Sequence, residues 1–583
     1  MIFGLELVNI GPFFRRSNPG PFSFRSRTAY VPRGTIPFLG LVARMFHVEQ
    51  PCQLEPFLLL SVFNCMIPNS HEENPAPSSL PSQYAIIACL ALARIVLYFF
   101  AGPHYGYFRD ELYYLACAEH PAWGYVDQPP LIAWIAWLLQ HSIGTSLWAL
   151  RLLPALADTA TIVLAGLLAH QLGGRRWAIF LASLAALMAP ISLAMSQLFT
   201  MNAFDPPLWT AIAFLLVLIA KNGRQSLWIA VGALAGVAIL NKYGILFWIL
   251  GLFLGICLTP LRLSLRHRWF WLGSLLAAAI ALPNFLWQWQ HQFPFLQLMH
   301  NIRQGTRDIS LPPLPYLLAQ AQMLGFVAAI LVPFALLFFF SPRGRSYRVL
   351  GWAYLVFLAE MMFLHGKMYY VAPVYPALFA AGAVWMEGAT QRKLWIWSKP
   401  AYAVAIIAIA GISVPTYLPI LPVPEFLAYE HALGIEQQKF ENNQQGVLPQ
   451  LYADMFGWQQ IAQTVAAYYR TLPPEEQRKT AILANSYGDA GAIDFFGPQY
   501  GLPKSIATHQ NYWIWGPREY TGESIIVLGE GNEHNMQTKC ASYSVIGSTN
   551  NPLSRPDEWH PIYHCRGFKW NLQEHWPQMK HWN

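Results

Sequence analysis

Residues 105–131 hold five charged side chains, Arg109, Asp110, Glu111, Glu119 and Asp127, in a chain that is 11% charged overall. They sit in Tyr-Gly-Tyr-Phe-Arg-Asp-Glu-Leu-Tyr-Tyr and, further on, Gly-Tyr-Val-Asp-Gln-Pro-Pro-Leu. The stretch lies between two segments apolar enough to cross a membrane. Charge beside a bilayer is costly unless it faces water, a metal or a substrate, so the cluster is a candidate site. The plain alternative is a solvated loop. Other candidates stand singly. Asp205 lies in Phe199-Thr-Met-Asn-Ala-Phe-Asp-Pro-Pro, and Lys242 in Asn241-Lys-Tyr-Gly. His291, His300, Arg303 and Arg307 share a loop, and Lys367 and Tyr369 fall in His365-Gly-Lys-Met-Tyr-Tyr. Each alone reads equally well as a hydrogen-bonded loop residue or a snorkelling anchor. Together they gather carboxylates, imidazoles and cations at one face of a membrane. Carboxylates serve as a general base or bind a divalent metal. Lys, Arg and Tyr near the headgroup plane hold a phosphate. The set suits group transfer from a lipid-phosphate carrier to an acceptor outside.

The elements that must position these residues are membrane spans. With 583 residues, 55% of them hydrophobic, the chain is not an ordinary soluble enzyme. Eleven spans are expected near 83–101, 147–170, 177–195, 206–220, 226–240, 245–260, 269–287, 315–340, 349–364, 369–388 and 401–420, with the short pair 226–240 and 245–260 open to bending or reassignment. The net charge of +7 gives no case for nucleic acid, because many basic residues fall in short loops between apolar runs. Thirteen Lys and Arg fall in one set of alternate loops against six in the other. The richer side is expected to be cytoplasmic. Loop 102–146 and the tail then lie outside, in the periplasm for a bacterial inner membrane. Arg94 and Asp158 sit at matched depth in the first two spans and are expected to pair. Residues 131–139, after Pro129-Pro130, are too short to cross and suit an interfacial helix.

Residues 1–82 are rich in Pro, Ser and Arg and fit poorly with the rest. They are expected to be disordered, or an upstream extension of the true start. Residues 83–421 form the transmembrane domain, and 422–583 a polar tail expected to fold as a small α/β domain. Within the tail, 458–470 reads as an amphipathic helix, and Thr480–Ala484 and Ser524–Leu528 as strands. Gly488-Asp489-Ala490-Gly491 reads as a turn rather than a phosphate cradle. Cys540 and Cys565 can pair if the tail is extracytoplasmic.

Several motifs carry a resemblance. Arg109-Asp-Glu-Leu-Tyr-Tyr with Tyr125-Val-Asp-Gln-Pro-Pro-Leu resembles the first periplasmic loop of the bacterial protein-mannosyltransferase-like enzymes, glycosyltransferase family 39. It is also similar to that of the lipid A aminoarabinose transferases. Pro283-Asn-Phe-Leu-Trp-Gln-Trp-Gln-His, Gly366-Lys-Met-Tyr-Tyr-Val-Ala-Pro and Asn511-Tyr-Trp-Ile-Trp-Gly-Pro add to it. The resemblance covers residue 84 to the C-terminus. It implies a polytopic GT-C-like helical membrane fold and a polyprenyl-phosphate-linked sugar donor, with a protein, lipid or glycan acceptor and no nucleic acid. It makes Asp110 the catalytic carboxylate, with Glu111 beside it, and an inverting transfer. It implies a divalent metal on Asp127 with His291 or His300, and Lys367 and Tyr369 near the donor phosphate. Two positions depart from the aminoarabinose transferases, which carry Lys before the Pro-Pro and an Arg shortly after the Asp-Glu; here these are Gln128 and Tyr113. Phosphate binding therefore rests on Arg109, Arg303, Lys367 or Lys242, and hexose transfer is expected over aminoarabinose transfer. The competing readings are a transporter or flippase of a lipid-linked or polar solute, and a membrane scaffold.

Overall fold

The computed structural model describes residues 82–583, apart from 103, 306–307, 392–395, 436–440 and 531. The expectations for residues 1–81, Arg307, Arg392 and Lys393 lie outside the described residues. Helix α1 (Ser82–Ala101) leads into a loop bearing two shorter helices, α2 (Arg109–Glu119) and α3 (Leu131–Gln140), before the long α4 (Leu147–Gln171). Then follow α5 (Arg176–Met188), α6 (Pro190–Ser196), α7 (Asp205–Asn222), α8 (Trp228–Asn241), α9 (Ile245–Cys257), α10 (Arg268–Gln290) and α11 (Pro294–Gln304). The helical body ends with α12 (Pro313–Met323), α13 (Leu331–Phe340), α14 (Arg348–Phe363), α15 (Tyr375–Ala389) and α16 (Ser398–Tyr417).

Every expected span is helical. Among the described residues six helices are long and apolar enough to cross a bilayer, or nine if each of three bent pairs is one span. The protein is a multi-pass membrane protein. The two expected spans that fall short are α8, of 14 residues, and α14, of 16. At 1.5 Å per residue they reach only about 21 and 24 Å. Three expected spans bend sharply. The bend is 57° between α5 and α6, where Ala189 is extended as a residue before proline tends to be. It is 102° where α9 gives way to Pro260–Arg266. Residues 315–340, expected as one span, turn by 114° at Gly325, whose φ of +69° suits only glycine at low cost.

Hydrocarbon-facing and protein-facing surfaces are distinct. Along α10, Trp271, Leu275, Phe285 and Trp289 are exposed, as lipid-covered side chains would be. On its other side α10 meets α8 backbone to backbone: a Cβ at Gly232 would stand 1.9 Å from the Gly273 carbonyl oxygen. The Arg94–Asp158 pair forms as expected, with Arg94 Nε 2.6 Å from Asp158 Oδ2 and both side chains buried. Arg94 also donates to the carbonyl and hydroxyl of Ser196, so the pair is fully bonded inside the body.

The tail holds α17 (Val423–Leu433), α18 (Trp458–Tyr469), α19 (Tyr487–Phe496) and α20 (Gln510–Trp515) around a five-stranded sheet. The strands are β1 (Thr480–Ala484), β2 (Ile506–Ala507), β3 (Ser524–Leu528), β4 (Cys540–Ser548) and β5 (Pro561–Phe568), in the order β2-β1-β3-β5-β4. β1 runs parallel to β2 and β3, while β5 is antiparallel to β3 and β4. Both expected strands are present, and every residue of each is buried, which suits the centre of a sheet covered by helices. Cys540 and Cys565 form a disulfide that ties the start of β4 to β5.

One tail expectation is corrected. Gly488-Asp489-Ala490-Gly491 is not a turn; it forms the first turns of α19, capped by the Ser486 hydroxyl, which accepts from the Asp489 amide. The glycines are there for close packing on α2. A Cβ at Gly488 would lie 2.6 Å from Arg109 Cγ, and one at Gly491 would lie 3.1 Å from the Leu112 backbone. The tail is thereby seated on the acid-bearing loop of the helical body.

Candidate active site

Helix α2 begins where Phe108 is extended and Glu111, three residues on, reaches back. Glu111 Oε2 accepts the Phe108 amide at 2.8 Å, the return half of a capping box. Two acids in the first turn also favour the positive end of the helix dipole. Glu111, expected as a catalytic partner, is wholly engaged elsewhere. Arg151 Nε and Nη2 each donate to it at 3.1 Å, and the Phe199 amide donates at 3.0 Å. Arg151 in turn holds the Gly106 carbonyl at 2.7 Å. With its lone pairs occupied and the side chain at 0% exposure, Glu111 braces the loop against α4 and residue 199 and has no oxygen left for a reacting group. That is a positioning role.

Asp110 is different. Its side chain is buried, and Oδ1 accepts the Tyr487 hydroxyl at 2.8 Å from the tail, 377 residues away. Oδ2 has no partner among the described residues. Asp127 repeats the arrangement: Oδ1 accepts the Tyr113 hydroxyl at 2.9 Å and Oδ2 is unpartnered. The two tyrosine rings pack with centroids 4.7 Å apart. The acids are near enough that Asp110's charge bears on Asp127, and both bear on Tyr114. Gln128, buried beside them, leaves Oε1 unpartnered as well. Buried polar atoms are ordinarily bonded to protein, water or ligand. A group of orphaned oxygens around two carboxylates therefore marks a candidate polar site.

The loop bearing Asp127 is clamped from two sides. From α10, Gln288 Nε2 donates to the Tyr125 carbonyl and Asn284 Nδ2 to the Trp123 carbonyl. From α20, Asn511 Oδ1 accepts the Val126 amide at 2.6 Å, and the Asn511 amide donates to the Tyr113 hydroxyl at 3.4 Å. Trp582 completes the clamp by packing with Val126, Leu298 and Ile302. Sequence reasoning singled out the Asn511 motif without a role for it and missed Tyr487 and Trp582. No local signal ties a tail tyrosine to a residue in the first loop.

Burial pushes Asp127 up to about 7, with Asp110's charge adding and the Tyr113 hydrogen bond opposing. The sign of the consequence is fixed. From pH about 4 to about 7 the folded protein keeps a proton that the unfolded chain has lost, so stability falls as pH rises through that window. Asp489, also raised to about 7 by burial and then by Glu558, acts in the same direction. Asp127→Asn is expected to remove roughly 2–4 kcal/mol of this decline, read as a flatter melting-temperature profile in detergent between pH 5 and 8. An unchanged profile would contradict it.

A second cluster gathers cations. Lys242 Nζ donates to Asn202 Oδ1 at 2.5 Å and stands over the rings of Tyr370 and Tyr369, 4.7 and 5.4 Å from their centroids. Burial lowers Lys242 to about 8, opposed by Asp205 and reinforced by Lys367. Lys367 pairs with Glu441 at 2.5 Å and Asp308 at 3.1 Å. Asp205 accepts from Asn241 Nδ2 at 2.8 Å, which fixes the turn bearing Lys242. Next in sequence, the Tyr243 hydroxyl donates to Asn284 Oδ1 and feels the charge of Asp127. Tyr243 thus links the cationic cluster to the pair of acids.

The remaining expected site residues are not brought to it. Arg109, expected at a phosphate, points into the tail: it pairs with Glu558 at 3.0 Å and stacks on Tyr487. Arg555 bonds Asp454 and Glu558 in the same cluster. Arg303 is exposed on α11. The three residues expected to bind a metal do not converge. His291 donates through Nδ1 to the Trp287 carbonyl and stacks on that ring, while His300 is bonded to Gln304. Among the described residues no three His, Cys, Asp or Glu stand where they could hold a metal ion together. The donor set does not fit a metal on Asp127, and no step below passes through one.

Residues 127–287 match the family described as dolichyl-phosphate-mannose-protein mannosyltransferase. The matched stretch opens at Asp127 and includes Asp205, Lys242 and Asn284. The lipid A galacturonosyltransferase RgtD of Rhizobium johnstonii is 28% identical over 211 residues, 35% of this chain. The chain spans less than half the length of that relative, 43%. ArnT of Cupriavidus metallidurans bound to undecaprenyl phosphate aligns over 82% of this chain and 98% of its own, with a TM-score of 0.53 and 16% identity. Its apo form aligns over 83% and 98%, at 0.54 and 15%. The chain shares the ArnT fold, as its motifs led one to expect.

Proposed function

We propose that this protein is an inverting glycosyltransferase that moves a sugar, a hexose by preference, from a polyprenyl-phosphate donor to an acceptor on the outer face of the membrane. The observation that carries the reading is the pair of buried acids, Asp110 and Asp127, each with one oxygen held by a tyrosine and the other unpartnered. A carboxylate so held is a fixed general base. Asp110 Oδ2 takes the proton from the acceptor hydroxyl or amine as that atom bonds to the anomeric carbon. The bond from that carbon to the phosphate oxygen breaks on the opposite face, and polyprenyl phosphate leaves with the electron pair. Lys242, half-buried and set over Tyr370, offsets the charge that grows on the phosphate. Asp127 and Tyr113 line the sugar's side of the site. The ArnT fold and the mannosyltransferase-family match support the lipid-linked donor.

Lys242→Met is expected to raise the KM for the donor roughly 10- to 100-fold, the worth of one charge-assisted hydrogen bond, with kcat less affected. In the wild type kcat/KM for the donor should fall as pH rises past about 8, where Lys242 loses its proton. A donor KM indifferent to both changes would place the phosphate elsewhere. The reaction itself is tested by incubating purified protein with polyprenyl-phosphate sugars and membrane acceptors, and assaying free polyprenyl phosphate. A transporter or scaffold releases none, and release from no sugar donor would reject the proposal.

A further inference from the structure

Two buried ion pairs, Arg94–Asp158 and Arg151–Glu111, are joined by one short stretch of chain. Ser196 accepts Arg94 through its carbonyl and hydroxyl, and Phe199 donates its amide to Glu111. Between them Gln197 is buried, at 6% exposure, and neither its Oε1 nor its Nε2 has a hydrogen-bond partner among the described residues. Arg151, at 3% exposure, likewise leaves Nη1 unpartnered. Gln197, Arg94 and Arg151 line one small cavity of about 10 Å³, which Tyr98, Gly102 and Leu418 complete.

An unpaired buried amide costs about 1–3 kcal/mol, and here one amide would bear that cost twice beside a short-changed guanidinium. A cavity of this size has room for a single water, and a buried water needs two to four polar partners. The cavity offers three: a guanidinium N–H, an amide N–H and an amide oxygen. Each guanidinium already faces its own carboxylate, so the site has no net charge with which to draw in an anion.

We infer that this cavity is a binding site for one structural water, accepting from Arg151 Nη1 and Gln197 Nε2 and donating to Gln197 Oε1. The water links the ion pair inside the first two spans to the pair that braces the acid-bearing loop. Through it the position of α2, and of Asp110 on it, is referred to the helical body as well as to the tail. The inference is independent of the reaction proposed above.

The sign of one substitution tests it. Gln197→Leu removes two partners of a bound water but, in a dry cavity, removes only two unpaired polar atoms. The wet site therefore lowers the melting temperature in detergent, by about 2–4 °C, and the dry site raises it. A raised or unchanged melting temperature would overturn the inference. Should that variant not fold, a density map of the wild type near 2 Å decides. A peak about 3 Å from Arg151 Nη1 and from the Gln197 amide is expected. No peak, where other interior waters are resolved, would overturn the inference. So would a peak that bromide replaces.

Discussion

Asp110→Asn, in protein that still folds, is expected to lose transfer by about 10²- to 10⁴-fold, the usual worth of a positioned general base. The amide keeps the size of the carboxylate, and its oxygen can still accept the Tyr487 hydroxyl at the present 2.8 Å. Seating of the tail on α2 should therefore survive, because it rests on Gly488 and Gly491 against Arg109 and Leu112. What is lost is a basic oxygen at the position of Oδ2. The expected split is a fall in kcat with little change in donor KM and with melting temperature and detergent-solubilised yield near wild type. Retained turnover would remove Asp110 from the chemistry. Loss of fold together with turnover would show that it serves the α2–α19 seam instead.

The second large effect is expected at Glu111, in stability rather than chemistry. This carboxylate accepts from two nitrogens of Arg151, from the Phe108 amide and from the Phe199 amide, and its side chain is wholly buried. Glu111→Gln leaves Arg151 charged and buried without its counter-ion. Breaking one side of such a pair costs about 3–5 kcal/mol. Removing the second charge as well relieves the uncompensated buried guanidinium, so the double variant Glu111→Gln/Arg151→Met should be more stable than Glu111→Gln. Thermal unfolding of the two single variants and the double in one detergent measures the coupling. Additive losses would show that the pair contributes nothing as a pair. A stable Glu111→Gln with abolished turnover would return Glu111 to the catalytic group.

Much of the scaffold was legible because local chemistry dictates it. Apolar runs gave the helices; the mutual need of Arg94 and Asp158 for a partner in hydrocarbon gave their contact. Buried β-branched runs gave β1 and β3, and 458–470 gave α18. Of the three bends only that in 245–260 was anticipated, from the shortness of the run; the others were not read, because a Gly or Pro in an apolar run is compatible with a straight span, a kink or a break. Gly325 and Pro190 lie against each other at their breaks, a Cβ at Gly325 falling 3.3 Å from Pro190 Cδ. Gly488-Asp489-Ala490-Gly491 looked like a turn by composition, yet its glycines serve the approach of two helices. That signal depends on a partner helix nearly four hundred residues away.

The site was half legible for the same reason. Residue type marked Asp110, Asp127, Lys242 and Lys367, since charge in an apolar chain calls for a cause. Residue type could not say which charges neutralise each other. Arg109 is drawn to Glu558, and Glu111 to Arg151, leaving Asp110 and Asp127 as the acids of the first loop with an unpartnered oxygen. The His residues were read as ligands by kind. In the fold His291 donates to the Trp287 carbonyl and stacks on that tryptophan's face. Tyr487, Asn511 and Trp582 reach the loop only once the tail has folded over it.

A cryo-EM map of the protein with polyprenyl phosphate tests the account's core most directly. Phosphate density within hydrogen-bond reach of Lys242 Nζ, in a chamber continuous with Asp110 Oδ2 and Asp127 Oδ2, is the expected result. Phosphate bound at a site that shares no chamber with the two acids would contradict it.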